Sequence, residues 1–327
     1  MCQRRREKAR GSRASGPGAA AAPSPKGSSE KRARGSTKAA HRTYYKNTHC
    51  GMTRHAGAFS TVRGCIVKSD QLPVSCLLKM QRIILRKAFG DRTQELSRLF
   101  YILLQQVLHP DLSLEIGAHE AQYSQLMRLF YPELNIVACE ANPLVFKHFQ
   151  SRINFQDQKI VYLNKAASDC DGTASFYILD ENNGLSGRNS ILDRDYSHEG
   201  TRTRRITVPS LREDTALAAY GAKNAALWID VEGAAGIVLD GLRESLRSRT
   251  LCSLYIELES HPFWKEQLLE NEILERLAGT GYIPLLCDDE YLLQHNVVFV
   301  RQEDVGGDFF PVVQAVYDKA VESIFEE

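Results

Sequence analysis

One stretch, residues 112–143, constrains the fold of this chain more than any other. It opens with a short apolar run that ends in an acid and a turn glycine, Glu115 and Gly117. A segment with helical spacing follows, and a second apolar run, residues 136–139, ends in another acid, Glu140. Because apolar periodicity distinguishes strands from helices, this order predicts strand, tight turn, helix and strand. Acids then lie at the carboxyl ends of two parallel strands, the edge where open α/β sheets bind ligands.

The spacing of these residues indicates the kind of ligand. Glu140 lies 23 residues after Gly117, close to the separation of about 20 residues at which a carboxylate hydrogen-bonds ribose hydroxyl groups. A glycine at the turn also lets the backbone approach a ligand closely. The stretch therefore predicts a nucleoside-containing cofactor that lies over this edge, with Glu140 on its ribose.

Apolar strands and amphipathic helices alternate along most of the chain, which is the pattern of a doubly wound, Rossmann-like α/β fold. The pattern predicts a helical lead-in over residues 76–110, a domain with a seven-stranded sheet over 111–305, and a helix or tail over 306–327. The last two strands, 282–287 and 297–301, are joined by an acidic turn and predict a terminal antiparallel hairpin.

Two segments in the middle of the domain, residues 173–179 and 206–211, have a period of two and predict strands. Between them, residues 180–205 are polar and rich in Gly, Asn and Ser. A loop of this length inside a compact domain is commonly a lid or binding loop, or is disordered. The sequence predicts the loop and leaves these alternatives open.

The first 75 residues differ in composition from the rest of the chain. They hold 16 Lys and Arg against 3 Asp and Glu, for +13, whereas the remainder holds 25 and 37, for −12. Such a segment cannot bury enough apolar surface to offset its ordering entropy, so residues 1–75 are predicted to be a disordered basic tail. A solvated tail, an organellar presequence and a basic arm for nucleic acid all fit this composition.

Cysteine usage and hydropathy exclude two other classes of protein. The eight cysteines contain no CxxC pair and no metal-type spacing, which fits a reducing compartment better than a disulfide scaffold. No uninterrupted apolar run approaches the ~18 residues of a membrane span, and the basic N-terminus lacks the apolar core of a secretory signal. We therefore expect a cytoplasmic protein without a membrane span, with import into an organelle as the alternative.

Five short motifs, taken in order, resemble those of one known family. Residues 115–124 read EIGAHEAQYS, residues 139–143 read CEANP, residues 164–169 read NKAASD, residues 228–233 read WIDVEG and residues 238–241 read VLDG. This ordered set is similar to the motifs of the FkbM-type methyltransferases, class I enzymes that depend on S-adenosylmethionine, over about 190 residues. The resemblance implies a methyltransferase sheet with S-adenosyl-L-methionine as its cofactor.

The resemblance also implies which residues contact the cofactor, namely Glu115, Gly117, His119, Glu140, Asn142 and Ala167. Glu140 and Asn142 have a structural alternative, because both can cap the helix that begins at residue 143. The family pattern has Asp, Asn, Gly and Lys where this chain has Glu115, His119, Ala121 and Trp228. Alanine at position 121 is tolerated if that position already lies in the helix, and otherwise it weakens cofactor binding. Loss of the lysine can change the substrate or remove activity.

Asp230 and Glu232 are the predicted catalytic residues. They lie one residue apart at the end of an apolar strand, so strand alternation would place both side chains on one face; the alternative is that the chain already turns here, with Glu232 and Gly233 as part of the turn. Such a pair can remove the proton of a hydroxyl group or bind a divalent metal, and no residue is assigned as a metal ligand. Weaker candidates are Glu257, at the end of the next strand, and two histidines, His198 and His261.

The sequence therefore predicts an S-adenosylmethionine-dependent O-methyltransferase that acts on a hydroxyl of a small molecule, sugar or glycan. One alternative is an inactive binding protein with the same fold, in which the changes at Ala121 and Trp228 have removed turnover. A nicotinamide-dependent Rossmann oxidoreductase is a weaker alternative, because the turn after Gly117 lacks the GxGxxG spacing. Binding of nucleic acid is expected only through the basic tail.

Overall fold

A computed structural model describes residues 74–194, 202–289, 291 and 293–325. The predicted disorder of residues 1–75 therefore concerns a segment that lies outside the described residues, apart from its last two positions. The helices are α1 Val74–Phe89, α2 Thr93–Leu108, α3 Gln122–Phe130, α4 Pro143–Gln150, α5 Glu213–Ala219, α6 Ala235–Gly241, α7 Arg243–Ser248, α8 Glu270–Gly279 and α9 Phe309–Phe325. The strands are β1 Leu112–Ile116, β2 Asn135–Cys139, β3 Ile160–Leu163, β4 Ala166–Ala167, β5 Gly172–Leu179, β6 Thr203–Leu211, β7 Ala225–Ile229, β8 Leu251–Glu259, β9 Tyr282–Cys287 and β10 Gln294–Arg301.

Seven of these strands form the main sheet, in the order β3-β2-β1-β7-β8-β10-β9. Neighbouring strands from β3 to β8 are parallel, and β10 pairs antiparallel with both β8 and β9. The predicted seven-stranded α/β sheet with a terminal antiparallel hairpin is confirmed. Strand order reverses direction between β1 and β7, so the ligand edge expected for such a sheet lies at the carboxyl ends of β2, β1 and β7.

Helices cover both faces of the main sheet. On one face α2, α3 and α9 pack in a core that includes Phe100, Met127 and Phe309. On the other face α6, α7 and α8 pack in a core that includes Val238 and Ile273. Each such side chain contributes about 1.5–3 kcal/mol through removal of its apolar surface from water, so burial on both faces fixes the sheet. The strands are apolar on both sides for this reason.

The predicted helical lead-in consists of two helices. A 3₁₀ turn, Gly90–Arg92, separates α1 from α2, and Gly90 has a left-handed φ of +59°. The first helix lies along the edge strand β9. There the Gln81 side-chain amide donates to the Leu285 carbonyl oxygen and accepts from the Cys287 N–H. These bonds occupy backbone groups of an edge strand that would otherwise be open to pairing.

A second, smaller sheet has the order β4-β6-β5. The two predicted strands of period two belong to it, as the antiparallel pair β5 and β6. The strand β6 begins at Thr203, so the loop after β5 is shorter than the predicted residues 180–205, and its residues 195–201 lie outside the described range. None of the described helices combines the length and hydropathy of a membrane span.

Candidate active site

The turn after β1 contains Glu115, the first predicted cofactor residue. Glu115 is buried, and its Oε2 accepts a hydrogen bond of 2.8 Å from the Ser124 N–H in the first turn of α3. The N-cap residue of α3 provides no side-chain bond, so this carboxylate does the capping from the neighbouring strand. Burial raises the pKa of Glu115 to about 7. The structure therefore gives Glu115 a clear part in supporting the turn.

Gly117 occupies a position that only glycine fits. Its φ is +80°, and a Cβ atom built on it would lie 1.7 Å from the carbonyl oxygen of Asp230. The Asp230 N–H donates to the Ile116 carbonyl oxygen at 3.0 Å, which holds the ends of β1 and β7 together. The sequence predicted that Gly117 allows a ligand to approach the backbone closely. In the structure, the group that approaches it closely is the Asp230 carbonyl of the chain itself.

Two further residues of this turn have left-handed backbones. The φ angle is 47° at His119 and 57° at Ala121, a conformation that costs roughly 1–2 kcal/mol for a residue with a Cβ atom. Ala121 lies where the family pattern has its second glycine, and the left-handed backbone explains that preference. The His119 ring packs against Phe149 at 4.9 Å, and its Nε2 lies 3.3 Å from the Leu185 carbonyl oxygen.

Glu140 joins the turns after β1 and β2. Its Oε2 accepts from the His119 N–H at 2.8 Å, and its Oε1 accepts from the Asn142 N–H at 2.6 Å. Burial raises the pKa of this carboxyl group, and the two N–H donors oppose the rise. Each carboxylate oxygen can accept two hydrogen bonds. The carboxylate thus retains capacity for a ligand while it orders both turns.

The other two predicted cofactor residues have structural contacts. Asn142 is fully buried; its Oδ1 accepts from the Leu144 N–H and its Nδ2 donates to the Gly184 carbonyl oxygen. Asn142 is therefore the N-cap of α4, the structural alternative stated for it. Ala167 lies in β4 of the small sheet, paired with Leu211. The structure thus brings Glu115, Gly117, His119 and Glu140 to one edge and places Ala167 in the neighbouring sheet.

Carboxylates converge where β7 and β8 end. One oxygen from each of Asp230, Glu232 and Glu257 lies within 4.8 Å of the other two. Glu259 follows Glu257 by two residues on β8 and is 2% exposed, and its Oε2 accepts from the Gln267 side chain at 2.8 Å. Burial raises the pKa of Asp230 and of Glu232. Carboxylates this close can share a proton or a divalent cation.

The turn after β7, and not strand alternation, brings Asp230 and Glu232 together. The strand ends at Ile229, and Glu232 has a left-handed φ of 51°, so both acids lie beyond the strand. The weaker candidate Glu257 belongs to the cluster, because its strand is the neighbour of β7. His261 is exposed with its ring edge-on to Phe263, and His198 lies outside the described residues.

Part of the long loop after β5 crosses this edge. Gly184 and Leu185 approach the end of β2 through the contacts of Asn142 and His119. Farther along the loop, the Ser190 hydroxyl donates to the Glu232 carbonyl oxygen at 2.8 Å. The described part of the loop therefore contacts both the turn region of Glu140 and the acid cluster.

The raised pKa of Glu259 leads to a prediction of how the stability of the protein depends on pH. Burial raises the pKa of Glu259 to about 8, so from about pH 5 to pH 8 the folded state holds a proton that the unfolded state releases, and stability falls as pH rises. We expect Glu259→Gln to remove a penalty of roughly 2–5 kcal/mol at pH 9 and to change stability little at pH 5. Urea unfolding of both proteins at these two pH values measures the effect; equal changes at both would contradict the raised pKa.

Comparison with known proteins identifies the family. Residues 115–284, about half of the chain, match the family model described as the methyltransferase FkbM domain. The chain belongs to this family. The predicted class of enzyme, an S-adenosylmethionine-dependent methyltransferase, is confirmed by this membership, and the match contains all of the predicted site residues from Glu115 to Glu232.

Solved structures with a similar fold are distant in sequence. Magnesium protoporphyrin IX methyltransferase from Synechocystis PCC 6803, solved with bound S-adenosylmethionine, is 9% identical with a TM-score of 0.36, over 64% of this chain and 80% of that one. A 1,6-didemethyltoxoflavin-N1-methyltransferase from Burkholderia thailandensis is 12% identical with a TM-score of 0.32, over 69% and 88%. A search of curated protein sequences gave no significant match.

Sequence reasoning missed two charged residues near this edge. Glu259 was visible only as an acid beside Glu257, and the alternation of β8 was the signal that both leave the same face. Arg98 lies on α2, and its charge acts on Asp230. Its signal was weak: a lone basic residue in a helix that is otherwise apolar or uncharged after its first turn.

Proposed function

We propose that this FkbM-family protein binds S-adenosylmethionine across the ends of β2, β1 and β7 and methylates a hydroxyl group of a small molecule, sugar or glycan. The observation that carries the proposal is the joining of two features at one edge. A buried carboxylate, Glu140, follows β2 and is held by two backbone N–H groups beside a glycine turn. A cluster of acids lies at the end of β7, which is separated from β2 by β1 alone.

The residues at this edge fit the proposed cofactor. Glu140 is fixed by Asn142 and His119 and retains acceptor capacity for the two ribose hydroxyls. Because Gly117 has no Cβ atom, the Asp230 carbonyl group packs against it and the ends of β1 and β7 meet at this edge. When bound, S-adenosylmethionine supplies an electrophilic methyl group on its sulfonium sulfur. Holding that group close to an oxygen nucleophile provides much of the rate, because positioning replaces a bimolecular encounter.

The acid cluster supports an oxygen nucleophile. Asp230 and Glu232 are half-buried next to the buried Glu257, and mutual repulsion disfavours ionisation of all three together. A carboxyl group whose pKa is raised toward neutral is a better base for a hydroxyl proton than an ordinary acid. We assign Asp230 or Glu232 to receive the proton of the acceptor hydroxyl. Glu257 is assigned to influence the protonation of these two acids through its repulsion of their negative charges.

The proposal predicts that binding and transfer respond differently to changes in the cluster. We expect the protein to bind S-adenosylhomocysteine, and Asp230→Asn and Glu232→Gln to change its Kd by less than about threefold. Removal of a general base should lower methyl transfer by roughly 10²–10⁴-fold. The measurements are calorimetry for binding and incorporation of a tritiated methyl group into a panel of sugars, glycans and small hydroxyl compounds.

The control for this experiment is Glu322→Gln, an exposed residue of α9, which should change neither quantity. Binding without transfer to any hydroxyl compound would favour the inactive binding protein, for which the strained Ala121 is an argument. Transfer that survives both cluster substitutions would remove the base from Asp230 and Glu232. Absence of binding would overturn the cofactor proposal itself.

A further inference from the structure

Arg98 lies at the ligand edge because of the direction of α2. The Ser97 hydroxyl is 2.9 Å from the Tyr255 hydroxyl. About two helical turns later, the Gln105 side-chain oxygen accepts from the Ser253 hydroxyl at 3.0 Å. Contacts therefore move toward the start of β8 as α2 proceeds, so α2 runs opposite to the strands. Its first turns, which include Arg98, lie near the carboxyl ends where Asp230 and the glycine turn are found.

The guanidinium group of Arg98 lies above an aromatic surface. Its central carbon is 6.0 Å from the centroid of the Trp228 ring, and Trp228 itself is stacked on Tyr255 at 3.7 Å. Trp228 is buried and precedes Asp230 by two residues on the same strand end. A cation above an indole ring is favourable and fixes the side chain. The charge of Arg98 thus lies over Trp228, two residues before Asp230.

Arg98 lacks a partner that its geometry requires. Its Nε is buried and makes no hydrogen bond with any described residue. A buried donor without an acceptor is unfavourable, and a guanidinium offers a planar fork of donors that matches a carboxylate in two parallel bonds. The positive charge of Arg98 acts on Asp230 and opposes the rise in the pKa of that carboxyl group, but the Arg98 Nε makes no hydrogen bond to Asp230. These observations indicate an anion that comes from a ligand.

The sheet sets the distance between this cation and the ribose site. Glu140 follows β2, Gly117 follows β1 and Asp230 follows β7, and these strands are consecutive in the sheet. With strands about 4.8 Å apart, the ends of β2 and β7 are roughly 10 Å from each other. If the ribose of S-adenosylmethionine lies at Glu140 and its methionine part passes over Gly117, the amino-acid end of the cofactor reaches Arg98.

We propose that Arg98 binds the carboxylate of the cofactor's amino-acid end. The proposal rests on the proposed function, because it takes S-adenosylmethionine as the ligand of this edge. It adds a binding residue from a helix that precedes the matched family domain, since Arg98 lies outside residues 115–284. The acceptor substrate needs no anionic group in this arrangement.

The test compares two ligands that differ only in this carboxylate. Calorimetry gives the Kd of S-adenosylhomocysteine and of its decarboxylated analogue, which keeps the nucleoside, the sulfur and the amine. For the unchanged protein we expect S-adenosylhomocysteine to bind roughly 10- to 100-fold more tightly than the analogue, the range for a charge-assisted pair. Arg98→Gln should weaken S-adenosylhomocysteine by about that factor and the analogue by less than about threefold.

Two further variants keep the test decisive. Arg98→Lys retains the charge without the fork and should recover part of the lost preference, and it serves if Arg98→Gln fails to fold. Arg92→Gln is the matched control, because Arg92 pairs with Glu95 near the same end of α2 and should leave both affinities unchanged. If Arg98→Gln weakens both ligands equally, or neither, the assignment of Arg98 is wrong. If the unchanged protein binds neither ligand, the proposed function fails as well.

Discussion

Gly117→Ala is expected to destabilise the protein by about 4 kcal/mol or more, a loss in the range reserved for severe steric or burial defects. The added Cβ would lie 1.7 Å from the Asp230 carbonyl oxygen, and neither the Asp230 backbone nor the Cα atom that carries the Cβ can move easily, because the sheet holds both strand ends in place. Relief requires β1 and β7 to separate at the ligand edge, so binding of S-adenosylhomocysteine should be lost together with stability. Urea unfolding and calorimetry measure the two effects.

Gly221→Ala is the matched control for this prediction. Gly221 also has a left-handed φ, +63°, but a Cβ there meets nothing within 4 Å. We expect a cost of roughly 1–2 kcal/mol from the backbone conformation alone, with unchanged ligand binding. The difference between the two variants isolates the contact with Asp230. If Gly117→Ala costs no more than Gly221→Ala, the close packing of the two strand ends is wrong.

Glu140→Gln is expected to weaken S-adenosylhomocysteine by roughly 30- to 100-fold, because a charge-assisted contact to ribose is lost. It should also lower the free energy of unfolding by about 1–3 kcal/mol. The two carboxylate oxygens each accept a backbone N–H, from His119 and Asn142. A glutamine has one acceptor and one NH₂ group, so one of these donors would face another donor. Calorimetry and urea unfolding separate the two losses.

A cycle with a second ligand decides whether the binding loss comes from the ribose. The unchanged protein should bind the 2′-deoxy analogue of S-adenosylhomocysteine more weakly than the parent, and Glu140→Gln should bind the two alike. Glu120→Gln changes a partly exposed acid of the same turn, whose carboxylate lies 3.9 Å from the His119 ring nitrogen. A solvent-exposed ion pair of this kind is worth little, so both affinities should stay within about twofold. An unchanged ratio between the two ligands in Glu140→Gln would falsify the ribose contact and leave only the structural role.

These two predictions have a common physical basis. Residues of the site support the sheet edge before they contact any ligand: Glu115 caps α3, Glu140 joins two turns and Gly117 permits the ends of β1 and β7 to meet. Family motifs at such positions therefore reflect folding as well as chemistry. Ala121 departs from the family pattern and has a left-handed backbone although it carries a Cβ atom. This departure lowers the stability of the turn directly, and it affects activity only through that turn.

Some features of the fold followed from local pattern alone. The first strand, turn, helix and second strand were predictable because apolar spacing and the positions of Gly117 and Glu140 are properties of a short segment. The break at Gly90 between α1 and α2 was not predicted, because the apolar spacing on either side of residues 90–95 indicates one helical segment. The separate β4-β6-β5 sheet was not predicted either, because period two identifies strands but not their partners.

The acid cluster shows the same division at the level of the site. Sequence placed Asp230 and Glu232 side by side, whereas the turn at Glu232 and the pairing of β7 with β8 added Glu257 and Glu259. Those acids are about 25 residues farther along the chain, and no local rule connects them. Burial then raises the pKa of Glu259 to about 8, a property that exists only once surrounding chain has excluded water.

The sequence by itself determined the class of fold, the family and the edge at which the ligand would lie, because strand ends, turn glycines and acids are encoded within short segments. Only the tertiary structure decided which side chains meet there. Arg98 reaches the edge because α2 runs opposite to the strands, and Gly117 is irreplaceable because the Asp230 backbone, more than 110 residues later, packs against it. Contacts between segments so distant along the chain depend on packing, which no periodicity of a single segment specifies.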